Sequence, residues 1–182
     1  MADQLPASDP GHTGGLFPER AASGGASEGC PVEGGRHHLP VVFLSIKPWW
    51  AEAILAGSKT VELRKSFAAN VAGCPMYLYA TSPRQCVIGR VLVESIVELP
   101  PDELWAEHGA QSSVTRAQFD AYYERRATGT GVLVAQPVAL EPLSLREIQR
   151  SERHFRPPMS YCVLDADHVV RLQLGRMQSL LD

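Results

Sequence analysis

The chain has 182 residues, a formal net charge of −3 and a pI of about 6.1, with 45% hydrophobic and 20% charged residues. That is the balance of a soluble globular protein with one domain of ordinary size. It excludes nucleic-acid binding by bulk basicity, though not by a local basic patch, and no run approaches the roughly 18 apolar residues that a membrane span needs.

Residues 1–38 are expected to form a disordered tail. The first 40 residues hold 8 of the 15 glycines and a single aromatic, Phe17. Such a segment buries too little apolar surface to offset its ordering entropy. The start of the chain shows neither a basic n-region nor an apolar h-region, which points to the cytoplasm and reduced thiols. Residues 41–182 then form one domain. Its charge is uneven: net +4 over 41–93, net −6 over 94–124 and net +2 over 125–182. The acidic stretch makes an interaction module for a basic partner one reading of the chain.

In chain order, Val41–Ile46 is an apolar strand, and Pro48 starts a two-turn helix, Trp49–Ala56, closed by Gly57. Thr60–Arg64 alternates strictly and predicts a half-buried strand, with Val61 and Leu63 inward and Thr60, Glu62 and Arg64 on the other face. Met76–Ala80 is a third strand, ended by the turn Thr81-Ser82-Pro83-Arg84. Cys86–Leu99 is a long β-branched run, and Gly89 within it marks a bulge. Pro100-Pro101 breaks that strand, and a short helix runs from Asp102 to His108. Thr115 and Gln118 form a capping box for a helix reaching about Arg126. Thr130–Val138 is a fifth strand, and Ser144 and Glu147 cap a helix to about Arg150. Tyr161–Leu164 and His168–Leu174 predict a terminal hairpin. This order lacks regular strand–helix alternation and a Gly-rich phosphate loop, so it excludes a doubly wound sheet. The expected fold is α+β: a small, partly open β-barrel with peripheral short helices.

The four cysteines, Cys30, Cys74, Cys86 and Cys162, make no CxxC. Neither a zinc site nor a disulfide is expected, and Cys86 and Cys162 sit in apolar runs as core residues. His108 and His154 have no partner at ligand spacing and are expected at the surface. No metal and no cofactor is required by any motif.

The densest polar constellation is Gly57-Ser58-Lys59-Thr60-Val61-Glu62-Leu63-Arg64. Glu62 and Arg64 are two apart on a strand, so they leave the same face, with Lys59 just before it. Such a cluster can hold an anion: Lys59 and Arg64 would take a phosphate while Glu62 accepts from an exocyclic amine. It can also move a proton, with Lys59 and Glu62 as the catalytic pair if the chain is an enzyme. Lys47 and Lys65 flank the motif as phosphate contacts. Trp49 or Trp50 is placed to stack a base, and Ser82 lies in the turn after the third strand. On this reading Lys59 carries spare charge in a cleft and adds little to the stability of the fold.

The pattern Gly-x-Lys-x-x-Glu-x-Arg resembles the signature of the ASCH domain, a relative of the PUA fold. Four further blocks extend the resemblance: Ser45-Ile46-Lys47-Pro48, Tyr79-Ala80-Thr81-Ser82-Pro83 with Ile88-Gly89, Leu143-Ser144-Leu145, and Pro157-Pro158-Met159-Ser160-Tyr161. They are similar to those of one ASCH subgroup labelled as transcriptional regulators. The resemblance implies a PUA-like barrel that binds RNA, a nucleoside or a nucleotide, with no membrane role. It also implies two enzymatic alternatives, hydrolysis of N4-acetylcytidine and cleavage of RNA. The amidohydrolase branch has a lysine where this chain has Lys59, but a threonine where it has Glu62. Its acidic partner is left open among Glu94, Glu98, Glu103 and Glu107.

Overall fold

The computed structural model describes residues 39–165 together with His168, Val170 and Leu174. The expected tail, 1–38, lies outside the described residues. Strands β1 (Val41–Ile46), β2 (Val61–Arg64), β3 (Pro75–Ala80), β4 (Cys86–Leu99), β5 (Gly129–Ser144) and β6 (Tyr161–Leu164) form one sheet in the order β2-β5-β4-β3-β1-β6. The β1–β3 pair is parallel and the others are antiparallel. The helices are α1 (Pro48–Leu55), α2 (Pro101–His108), α3 (Arg116–Tyr122) and α4 (Leu145–Ser151). The sheet curls into a half-barrel whose two end strands, β2 and β6, do not pair with each other.

Burial explains the strand sequences. All six residues of β1 are buried, because both its faces are covered, and a strand covered on both faces reads as a continuous apolar run. Its Val42, Leu44 and Ile46 point into the barrel with Met76, Leu78, Ile88, Val91 and Val93, where Ala51 and Ile54 of α1 plug the interior. Val41 and Phe43 face the other way, onto Tyr77, Tyr79, Leu140, Ile148 of α4 and Phe155. A third cluster joins Val61 and Leu63 of β2 to Leu104 of α2, Phe119 of α3 and Tyr123. Gly57 takes φ +75° after α1, the left-handed conformation that a helix-ending glycine supplies. Both predicted capping boxes form, on Ser144 and on Thr115.

Several sequence expectations are corrected. β2 is not half-buried: Glu62, on its polar face, is also covered. β5 does not stop at Val138 but continues to Ser144 through two prolines, Pro137 and Pro142. β2 pairs only with Thr130–Leu133, and the last bond on that side is from the Val134 N–H to Thr60 O, so beyond Val134 one edge of β5 has no ladder partner to lose. α3 ends at Tyr122 rather than Arg126, and Arg125 turns the chain at φ +60°. Of the second strand of the expected terminal hairpin, the described Val170 and Leu174 are helical and packed in the second cluster. Cys86 is buried, but Cys162 only half-buried; Cys74 is buried as well, and Cys30 lies outside the described residues. His108 is half-buried rather than at the surface, and His154 is exposed. Among the described residues, no helix is long and apolar enough to cross a membrane, and no group of His, Cys, Asp or Glu is placed to hold a metal ion.

Candidate functional site

The open seam between β2 and the β1–β6 pair forms a cleft lined by Ser45, Lys47, Trp50, Lys59, Glu62, Arg64, Thr81, Tyr122 and Met159, with Ile46 and Leu63 beneath. Its volume is about 110 Å³. At roughly 10–15 Å³ per water it takes one small group, the size of a phosphate or a base, not a duplex. Topology delivers these side chains. β1 and β3 are parallel, so Ser45 and Thr81 come together at their C-terminal ends, where the Thr81 N–H donates to Ile46 O (2.9 Å). β1 then feeds the first turn of α1, placing Lys47 and Trp50 at the rim. Alternation on β2 sends Val61 and Leu63 to the helices and Glu62 and Arg64 to the cleft.

The centre of the cleft is a chain of charges. Glu62 takes Lys59 Nζ on one carboxylate oxygen (3.2 Å) and Arg64 Nη2 on the other (2.9 Å). Lys59 is only 2% exposed, and Nζ also donates to Val61 O (2.8 Å) and Ser112 O (2.7 Å). All three ammonium protons therefore have acceptors. Burial pulls the Lys59 pKa below its ordinary value, the charge of Glu62 opposes that, and Arg64 adds to it. Arg64 reaches across the seam: Nη2 donates to Ser45 O (3.1 Å) and Nη1 to Ser160 Oγ (3.2 Å). Tyr122, also in the cleft, has its pKa raised by burial, so its hydroxyl stays protonated.

Four polar atoms of cleft residues are buried without a protein partner: Ser45 Oγ, Trp50 Nε1, Arg64 Nε and Thr81 Oγ1. An unsatisfied buried polar group costs roughly 1–3 kcal/mol, so such a concentration in one place is unusual for a purely structural cluster. Lys47, Lys59 and Arg64 against Glu62 leave the lining net positive.

The structure thus brings together Lys47, Lys59, Glu62 and Arg64. It does not bring the other sequence candidates into the lining. Lys65 stands behind Tyr122, its ammonium 5.2 Å from the ring centroid. Trp49 lies outside, 5.7 Å from Lys47 Nζ, and its neighbour Trp50 takes the cleft position. Ser82 is on the exposed turn, and Thr81 lines the cleft instead. Sequence reasoning missed Ser45, Thr81, Met159 and Ser160 as site residues. Each nevertheless belongs to one of the blocks similar to the ASCH subgroup, which thereby converge on one seam. Tyr122 gave no signal.

The family model of the ASCH domain matches residues 44–143, more than half of the chain. The chain belongs to the ASCH domain family. Its match spans the whole site except Met159 and Ser160. An ASCH domain-containing ribonuclease of Zymomonas mobilis is 29% identical over 129 residues, covering 71% of this chain and 87% of that protein. The crystal structure of ASCH from Zymomonas mobilis superposes with a TM-score of 0.69 at 28% identity, covering 74% of this chain and 94% of that one. A tyrosine-to-phenylalanine mutant of the same protein gives 0.69 at 27%, with coverages of 74% and 96%. The ASCH fold expected from the sequence is therefore shown. The transcriptional-regulator subgroup gains no support, since the matched relative is named a ribonuclease.

Proposed function

We propose that this ASCH domain binds single-stranded RNA at the seam cleft, seating one phosphate against Arg64, Ser45 and Thr81. The observation that supports this most is the set of unpartnered donors in a net positive lining. A guanidinium, two hydroxyls and an indole N–H match the oxygens of a phosphodiester. Lys47 stands at the rim and Trp50 offers a ring for a base.

Cleavage of the bound RNA is the second reading, favoured by the ribonuclease name of the Zymomonas relative. Attack by a ribose 2′-hydroxyl on the adjacent phosphorus forms the 2′-O–P bond as the P–O5′ bond breaks. The 2′ proton passes to solvent and the departing 5′-oxygen takes one from it. Negative charge gathers on the phosphate oxygens, beside the Arg64 guanidinium. Hydrolysis of a modified nucleoside, by contrast, asks Lys59 for a free amine. The three acceptors around Lys59 Nζ favour its charged ammonium form and so weigh against that reading.

The test uses Thr81→Val and Ser45→Ala. Both remove hydroxyls with no partner in the free protein, so the thermal midpoint should hold or rise. Binding of a 12-nucleotide single-stranded RNA, followed by fluorescence anisotropy, should weaken by about tenfold to a hundredfold per lost bond to a charged phosphate. Labelled RNA incubated with the native protein should shorten on a gel, and more slowly with Thr81→Val. Variants that bind RNA as tightly as the native protein would overturn the assignment.

A further inference from the structure

The segment from Arg146 to Arg156 carries four arginines against two glutamates. Arg146, Arg150, Arg153 and Arg156 are all exposed. Arg146 and Arg150 are four apart on α4, opposite the buried Ile148, so they share the solvent face. None of the four forms an ion pair among the described residues. Other surface arginines behave differently: Arg84 pairs with Glu52, Arg116 with Asp102 and Asp120, and Arg125 with Glu124. Of the two glutamates in the segment, Glu147 is committed to the Ser144 cap, where those hydrogen bonds first, and the charge of Arg150 after them, hold its pKa down. Among the other exposed, described arginines only Arg126 lacks a carboxylate, and it donates instead to Lys65 O (3.1 Å).

Two connections place this patch beside the cleft. At the start of α4, the Leu145 N–H donates to Gln85 O (2.9 Å), and the Gln85 N–H to Thr81 O (3.3 Å), a cleft residue. Beyond the helix, the chain runs from Arg156 to Met159, which lines the cleft and is 104% exposed, and to Ser160, which accepts from Arg64. Gln149 Nε2 ties the helix to this exit by donating to Phe155 O (3.0 Å). The patch is thus flanked on both sides by segments that build the cleft.

We propose that Arg146, Arg150, Arg153 and Arg156 form a track for the backbone of the RNA strand beyond the nucleotide in the cleft. Arginine suits this role, because its planar fork meets phosphate oxygens in pairs and is weakly hydrated. The track rests on the reading of the cleft as an RNA site, and it makes that site one for a strand of several nucleotides rather than a free nucleotide.

The experiment compares the native protein with R146Q/R150Q/R153Q, using a 12-nucleotide single-stranded RNA and a dinucleotide between 50 and 200 mM salt. Each phosphate contact to a single strand contributes about −0.7 to the slope of log K against log salt. The triple variant should lose about 2 from that slope and about a hundredfold in affinity for the 12-mer at 0.1 M salt, while dinucleotide affinity holds. R146K/R150K/R153K, which keeps the charge, should keep most of the slope. A 12-mer bound with unchanged slope by the glutamine variant would overturn the track and leave the cleft standing. Failure of the native protein to bind either RNA would overturn both. An acidic peptide that displaces the 12-mer at equal concentration would reassign the patch to a protein partner and overturn the proposal.

Discussion

Lys59 shows how far residue type and spacing carry an argument and where they stop. Its neighbourhood with Glu62 and Arg64 was legible, because positions two apart on a strand share a face. Its role was not. The acceptors that consume its charge are Val61 O and Ser112 O, and the second lies 53 residues away in sequence with no local signal. The reading that Lys59 adds little to the fold therefore gives way to its opposite. Lys59→Met should leave Val61 O and Ser112 O without a donor and Glu62 with one cation instead of two. Breaking a buried ion pair from one side costs about 3–5 kcal/mol, which chemical denaturation would detect. A loss below about 1 kcal/mol would show that the three contacts do not hold the seam. The same limit explains Ser82 and Trp49. A turn or helix can be located from sequence, but which of two neighbours faces a cleft depends on packing that the local pattern does not encode.

At the scale of elements, strong local chemistry was readable and context-dependent pairing was not. Capping boxes, the Gly57 stop and the Gly89 irregularity all appear where the residues put them, because each acts through its own backbone. The register slips at Gly89, between Val87 and Gly89 on the β5 side and between Leu78 and Tyr79 on the β3 side. A Cβ built on Gly89 would sit 2.5 Å from a Leu55 methyl and 2.7 Å from Val138 O. The methyl can move; the carbonyl of a paired strand cannot move freely. Gly89→Ala should therefore destabilise by about 1–3 kcal/mol through overpacking where α1 meets the sheet, read as a lower denaturation midpoint with unchanged m-value. An unchanged midpoint would mean that β4 and β5 yield at this point. The late segment failed for another reason. Val170 and Leu174 fit a two-residue period and also the four-residue spacing of a helical face, and the sequence alone does not choose between them. Burial of both against Phe43, Tyr79 and Phe155 is a tertiary fact.

At the scale of the molecule, the barrel is closed by side chains where its strands fail to meet. β2 and β6 are the two ends of the sheet, and β6 has only four residues and one partner, β1. Arg64 crosses from β2 to Ser45 O and Ser160 Oγ, while the Ser45 N–H donates to Ser160 O (2.9 Å) beside it. One guanidinium thus joins β2 to the β1–β6 pair, to which no ladder connects it. Arg64→Met keeps the apolar stem and removes the bridge. Amide exchange of Ser45 and of Tyr161–Leu164 should then quicken by more than the global loss of stability accounts for, while the β3–β4 ladder follows the global value alone, because local opening is set by the weakest contiguous unit. Uniform acceleration across the sheet would refute a latch at the seam. In the proposed RNA complex the same bridge ties fold to function: a phosphate held by Arg64, Ser45 and Thr81 would span the same gap from the other side. Saturating RNA should therefore slow exchange of those seam amides in the native protein and leave it unchanged in Arg64→Met, which retains the cleft walls and lacks the cation that would join ligand to both.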